Sequence, residues 1–213
     1  MDARCRNQEL DWSLVAIIDR AWLRDRPIQQ LAEQIIRGGA TIIQYRNKIS
    51  QSRSFYTEAS VLRDVTSAHR IPLIINDRVD IAMAVGADGV HLGQDDLPMD
   101  AARALVGGHT ILGGSVHDTG ELATMEDADY LGVGAVYRTN SKEKAKVGGL
   151  ELIKTIRSLT RKPMVGIGGI TPENCGDVIA AGADGVAVIS AIMDADEVTS
   201  TVQRFIQKIG HAR

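Results

Sequence analysis

The feature that most restricts this chain is a regular succession of short apolar runs, each followed by an amphipathic segment that closes on glycine or a polar turn. Apolar runs too short to be helices read as buried strands, and apolar residues at helical spacing read as amphipathic helices. Strand one spans Trp12 to Ile18 and ends at Asp19-Arg20. A helical stripe at Ile28, Leu31, Ala32, Ile35 and Ile36 follows, and Gly38-Gly39 stops it. Thr41-Ile42-Ile43 opens strand two, with the tip Gln44 to Lys48, and Ser50 or Ser52 suits the cap of a helix running towards Ala68. Leu73-Ile74-Ile75 is strand three, tipped by Asn76 and Asp77, with a helix over Val79 to Val85. Strand four, Val90 to Leu92, ends in Gly93-Gln94-Asp95-Asp96, and Pro98 to Val106 is its helix.

The second half repeats the scheme. Thr110 to Gly113 is strand five, with Ser115 and His117 beyond its end and a short acidic helix over Gly120 to Glu126. Strand six is Tyr130 to Val136, followed by the polar loop Tyr137 to Gly149 and a helix from Leu150 to Leu159. Met164 to Ile167 is strand seven, tipped by Gly168-Gly169, and Thr171-Pro172 has the form of a helix start. Val186 to Ile189 is strand eight, tipped by Ser190, and Glu197 to Ile209 closes the chain as a helix. Gly-Ala-Asp-Gly-Val occurs at 86–90 and again at 182–186, four units apart, each time between a helix and a strand. Eight uniform units predict a single compact (β/α)8 TIM barrel over residues 12–213, shorter than the typical ~250 residues. Residues 1–11 are polar and read as a flexible segment, and the structural alternative is an open doubly wound sheet.

Composition narrows the function. Aromatics are only 4% of the 213 residues, so Val, Ile, Leu and Ala must fill the core. The net charge of −3 gives no electrostatic support for a nucleic-acid partner. Cys5 and Cys175 are far apart, and the sequence contains neither a transmembrane-length apolar run nor a signal-peptide core. A soluble, reduced, cytoplasmic protein is expected. The sequence leaves oligomeric state open, a homo-oligomer included.

Active sites of parallel barrels form at the C-terminal strand tips, which makes the tips a list of candidates. Gln44, Arg46 and Lys48 alternate and so share one face. Asn76-Asp77 and Asp95-Asp96 end neighbouring strands, so Asp77 and Asp96 can meet and offer oxygen ligands to magnesium. Ser115 and His117 follow strand five, while Thr139, Ser141 and Lys142 follow strand six. The loops after strands seven and eight, Gly168-Gly169 and Ile189-Ser190, commonly hold a phosphate on backbone N–H groups. Two carboxylates, several cations and small polar groups at one mouth point to phosphorylated substrates and a divalent metal. Simpler roles compete: Asp77 suits a helix cap, Asp95-Asp96 a turn, and the glycine pair a tight bend. His91 and His117 read as structural or supporting groups, and five scattered histidines give no zinc-ligand spacing.

The motifs Gln44-x-Arg46-x-Lys48, Asn76-Asp77-Arg78, His91-Leu-Gly-Gln-Asp-Asp96, Ser115-x-His117, Thr139-x-Ser141-Lys142, Ile167-Gly-Gly-Ile170 and Ile189-Ser190 together resemble the thiamine phosphate synthase family, from Trp12 nearly to the C-terminus. The resemblance implies a transferase that couples 4-amino-2-methyl-5-(diphosphooxymethyl)pyrimidine to a thiazole phosphate and releases pyrophosphate. It implies that Gln44, Tyr45, Arg46, Asn47, Lys48, Asn76, Ser115 and Lys142 hold the pyrimidine diphosphate, with Arg46, Lys48, Ser115 and Lys142 acting in catalysis. It places Mg2+ on Asp77 and Asp96, and the thiazole phosphate on Thr139, Asn140, Ser141, Gly169, Ile189 and Ser190. Three positions depart from the family pattern: Ser141 stands for a usual Thr, Arg138 for a usual Pro, and Gly114 for a bulkier residue. None removes a charge or a donor. Two rival readings are a barrel similar to thiazole tautomerase, with His117 as acid–base group, and a non-catalytic sensor of phosphorylated ligands.

Overall fold

The structure, a computed structural model, describes residues 10–139 and 147–213. Eight parallel strands close into a barrel in sequence order: β1 (Leu14–Asp19), β2 (Ile42–Arg46), β3 (Leu73–Asn76), β4 (Gly89–Leu92), β5 (Ile111–Val116), β6 (Tyr130–Gly134), β7 (Met164–Ile167) and β8 (Gly185–Val188). Around them lie α1 (Ile28–Arg37), α2 (Ser52–His69), α3 (Val79–Val85), α4 (Met99–Val106), α5 (Gly149–Leu159), α6 (Cys175–Ala180), α7 (Ser190–Met193) and α8 (Val198–Ala212). The expected barrel and its eight units are present; the open sheet is not. Among the described residues no helix is long and apolar enough to cross a membrane.

Alternation along each strand builds two cores. Outward residues such as Leu14, Ala16, Ile18, Ile43, Leu73 and Val90 pack beneath the helices, while Val15, Ile17, Ile42, Ile74, Ile111, Val165 and Ala187 fill the interior with Trp12 and Tyr130. Fully burying one such aliphatic side chain contributes about 1.5–3 kcal/mol. The apolar stripe of α1 lands as its spacing predicts, with Leu31, Ala32 and Ile35 buried. In a chain poor in aromatics, Trp12 stacks on Tyr130 at 4.4 Å inside the barrel. Gly113 makes room beside them: in the sheet it pairs with His91 on one side and Tyr130 on the other, and a Cβ there would lie 2.2 Å from the Tyr130 ring.

The N-terminal end of the barrel is closed by a repeated device. The Leu73 N–H donates to Asp88, the Leu112 N–H to Asp129 and the Met164 N–H to Asp184, each at 2.8 Å. Arg63, Arg103 and Arg157, on the helices that lead into β3, β5 and β7, pair with them in turn. The Leu14 N–H donates to Thr41 in the corresponding place. Each odd strand thus has an N–H at or next to its start satisfied by the side chain of the residue just ahead of the next strand. The repeated Gly-Ala-Asp-Gly-Val supplies two of these carboxylates, and its first glycines, Gly86 and Gly182, adopt positive φ.

Several boundaries differ from expectation. β5 continues to Val116, so Ser115 lies within the strand rather than past it. Neither Ser50 nor Ser52 caps α2; Gln51 holds the cap position without a side-chain bond. Thr171 does not cap a helix either, because Thr171 to Asn174 form a turn closed by the Asn174 side chain on the Thr171 N–H, and α6 starts at Cys175. The acidic segment after β5 is a 3-10 helix, Thr119–Met125, and short helical turns at Arg20–Trp22 and α7 were not apparent from spacing. Of the segment expected to be loose, residues 1–9 lie outside the described residues. Leu10 packs against the interior cluster, and Asp11 accepts bonds from the Ser13 N–H and hydroxyl. The space left by Gly114 is taken by the Met125 and Met99 side chains.

Candidate active site

The C-terminal strand ends gather the polar residues. On β2, Ile42 points into the barrel and Ile43 out, so the alternation turns Gln44 and Arg46 inward. The Arg46 guanidinium pairs with Asp19 at the end of β1, a carboxylate only 1% exposed whose other oxygen accepts the Ala21 N–H at 3.0 Å. Asp19 was not among the candidates, although the tip rule that selected the others applies to it.

Tyr45 and Asn47 face the other way. The Tyr45 ring is buried against Phe55 of α2, and its hydroxyl bonds Glu58. Asn47 donates to the Tyr45 oxygen and to Glu58, and accepts the Ser50 N–H at 2.9 Å. Arg20 closes the group on Glu58 at 2.8 Å. Both side chains therefore hold the β2–α2 loop from behind, on the side away from Arg46. The period of two along a strand places them opposite Arg46.

Asp77 does not cap α3, whose cap position is Arg78 without a side-chain bond. Its backbone is left-handed, with φ of 63°, and its N–H donates to the His91 carbonyl at 2.8 Å, tying β3 to β4. A positive φ at a residue other than glycine is a strained state that clusters at functional sites. The Asp77 carboxylate accepts Lys48 Nζ at 2.9 Å and lies within hydrogen-bonding reach of Asp96. Burial, together with the Asp96 carboxylate, pushes the Asp77 carboxyl above its ordinary range, and Lys48 pulls the other way. Asp96 accepts the Gly93 N–H at 2.7 Å, so its turn role and its place at the mouth coexist.

Asn76 and His91 pair across β3 and β4, and both are buried. His91 Nδ1 lies 2.8 Å from the Tyr130 hydroxyl and Nε2 lies 3.0 Å from Ser115 Oγ. Burial pushes the His91 imidazole down to about 4, which keeps it neutral near pH 7. Tyr130 also escaped the sequence reading, because it sits at the start of β6 and only the register brings it to His91. Gln94 donates to the Ser115 carbonyl at 2.7 Å. His117 bonds the Glu121 carboxylate through both its backbone N–H and Nδ1.

On the far side, Gly168 and Gly169 have positive φ, and a Cβ on Gly169 would lie 2.3 Å from the Arg138 carbonyl. Close packing of Gly168 against Ala135 and of Gly169 against Tyr137 and Arg138 thus accounts for the glycine pair by itself. Ile189 and Ser190 form the junction from β8 into α7, and Thr139 is half-buried. Asn140, Ser141 and Lys142 lie outside the described residues.

The juxtaposed carboxylates of Asp77 and Asp96 fit a magnesium ion. Two like charges brought together repel unless a proton or a cation is shared, and magnesium takes one or two carboxylates with its other ligands from water and phosphate oxygens. Among the described residues no group of three His, Cys, Asp or Glu side chains could hold a metal alone, so such an ion would draw ligands from the substrate.

A closed parallel barrel with paired carboxylates, an arginine and a lysine at its strand tips defines a barrel enzyme for anionic small molecules. Comparison with known proteins gives its kin. Residues 14–192 match the family model described as thiamine monophosphate synthase. The chain is 46% identical over 198 residues to a thiamine-phosphate synthase of Chloroflexus aurantiacus, covering 92% of this chain and 91% of that protein. It is 44% identical to one of Clostridium acetobutylicum, covering 90% and 92%. A solved thiamine phosphate pyrophosphorylase from Pyrococcus furiosus superposes with a TM-score of 0.87 at 35% identity, covering 96% of this chain and 98% of that one. The chain belongs to the thiamine monophosphate synthase family. Its function is that family's thiamine-phosphate synthesis, and it is a transferase.

Proposed function

We propose that the mouth described above carries out this transfer with the following division of labour. The diphosphate of the aminopyrimidine lies over the tips of β2 to β5, where Arg46, Lys48, Asn76 and Ser115 converge, with Lys142 contributed by the loop after β6. Gln44, buried at 4% exposure beneath them, addresses the pyrimidine. Asp77 and Asp96 hold Mg2+, which when bound neutralises charge on the diphosphate oxygens. The thiazole phosphate rests against Gly169, Ile189 and Ser190, with Thr139, Asn140 and Ser141 towards its ring.

The chemistry requires little proton transfer. The methylene C–O bond breaks with its electron pair going to the departing pyrophosphate, and the thiazole nitrogen lone pair forms the new C–N bond. Fixed donors from Arg46, Lys48 and Ser115 stabilise charge as it develops on the leaving group. The electron-rich aminopyrimidine delocalises positive charge at the methylene, which favours a dissociative path. The thiazole needs only placement, not deprotonation. No step calls for a histidine base, in keeping with a buried, neutral His91 and a His117 engaged by Glu121.

The observation that carries the reading is the Lys48–Asp77–Asp96 group on three successive strand ends. Initial rates of pyrophosphate release, measured against magnesium concentration in the wild type, Asp77→Asn and Asp96→Asn, test it. Loss of rate with a rightward shift in the magnesium requirement is expected for both variants. An unchanged magnesium curve in either would remove that residue from the metal site.

A further inference from the structure

The barrel interior holds a line of polar side chains, from Gln44 to Ser115, in which the transfer outlined above gives Tyr130 and His91 no task. Gln44 lies beside the Tyr130 hydroxyl, that hydroxyl meets His91 Nδ1 at 2.8 Å, and His91 Nε2 meets Ser115 Oγ at 3.0 Å. Tyr130 is 1% exposed and held by the Trp12 stack, and His91 is 8% exposed, so solvent does not compete for these bonds. Glycines at 113 and 132 leave the two rings room to meet.

A neutral imidazole has one donor nitrogen and one acceptor nitrogen, so the line runs in one of two directions. A phenol is a stronger acid than an aliphatic alcohol and therefore the better donor to an imidazole nitrogen. The serine oxygen is the better acceptor of an imidazole N–H. We propose that Tyr130 and His91 are positioning residues that set the polarity of Ser115: Gln44 Nε2–H donates to the Tyr130 oxygen, Tyr130 O–H to His91 Nδ1, and His91 Nε2–H to Ser115 Oγ. The Ser115 O–H is thereby left to donate into the mouth. The same line turns Gln44 Oε1 outward as an acceptor, complementary to the exocyclic amine of an aminopyrimidine. One line thus presents an acceptor to the base and a donor to the departing diphosphate. This consequence rests on the diphosphate reading above, whereas the direction of the line does not.

The test has two parts. Long-range 1H–15N spectra of the ligand-free wild type, assigned by loss of the signal in His91→Asn, report the tautomer of His91. The Nε2–H form is expected; the Nδ1–H form would overturn the proposal, whatever the reaction. Kinetics then compare Tyr130→Phe, which keeps the stacking ring, with Ser115→Ala and the double variant. Ser115→Ala is expected to lower kcat on the order of 10²-fold, as for loss of one preorganised donor. Tyr130→Phe is expected to lower kcat roughly tenfold without changing KM for the thiazole phosphate, and the double variant to be no slower than Ser115→Ala. Multiplicative losses in the double variant would show that Tyr130 does not act through Ser115. A wild type with the expected tautomer but no turnover would refute the site reading and leave the line standing.

Discussion

Gly113→Ala is the sharpest probe of the barrel interior. The added Cβ would lie 2.2 Å and 2.4 Å from Tyr130 Cε1 and Cζ and 2.6 Å from His91 Nδ1. None of these is the loose end of a flexible chain. The Tyr130 ring is stacked on Trp12, and the His91 ring is held at both nitrogens. Overpacking of this kind costs about 1–3 kcal/mol. Displacing Tyr130 also breaks the bond to His91 and leaves buried polar atoms without a partner, about 1–3 kcal/mol more. Together these give a loss of about 2–6 kcal/mol, which for a chain of this size lowers Tm by about 4–24 °C. Gly210→Ala is the control. It lies in α8 with nothing within 4 Å of the new Cβ, so the variant should gain about 0.5–1 kcal/mol. Thermal unfolding followed by circular dichroism at one scan rate measures both. A Gly113→Ala protein melting within about 2 °C of the wild type would show that the interior yields and that the Tyr130–His91 contact is not held as argued.

Other expectations follow from the same geometry. Asp19→Ala removes the partner of Arg46 and should cost about 1–3 kcal/mol, together with roughly a tenfold rise in KM for the pyrimidine diphosphate; an unchanged KM would show that Arg46 needs no support from β1. Asp184→Ala frees the Met164 N–H and Arg157 at the opposite end of the barrel; it should lower Tm while leaving kcat of the folded enzyme unaltered, as measured at a temperature well below the transition. The His91 imidazole titrates at about 4 when folded and near 6.5 when unfolded, so the unfolded chain binds the extra proton between those values. Its contribution is complete above pH 6.5 and falls by about 3 kcal/mol as pH drops to 4. Tm profiles over that window should be flatter for His91→Asn than for the wild type, and parallel profiles would contradict this.

The sequence carried most of the fold because eight buried strands and their glycine-terminated helices obey local rules. A period of two sorted Gln44 and Arg46 from their neighbours, and parallel order brought Asp77 beside Asp96. The same period, applied to Tyr45 and Asn47, would have turned them towards α2. What local rules could not show depended on register. Tyr130 begins β6, far from any tip, and reaches His91 only because Gly113 stands between them in the sheet. The Asp88, Asp129 and Asp184 clamps were also hidden, since one carboxylate before a strand looks like an ordinary turn residue until its partner strand is known. The expected caps are displaced: Gln51 rather than Ser52 holds the cap position of α2, and the Thr171 hydroxyl accepts the Glu173 N–H within the turn that precedes α6.

The most direct test of the account is to soak crystals with manganese in place of magnesium, together with pyrophosphate, and to locate the metal by anomalous scattering. The account predicts a single site bridged by the Asp77 and Asp96 carboxylates, with pyrophosphate oxygens completing the shell and Lys48 and Arg46 on the same anion. A metal bound elsewhere, or pyrophosphate held away from the β3 and β4 tips, would contradict it.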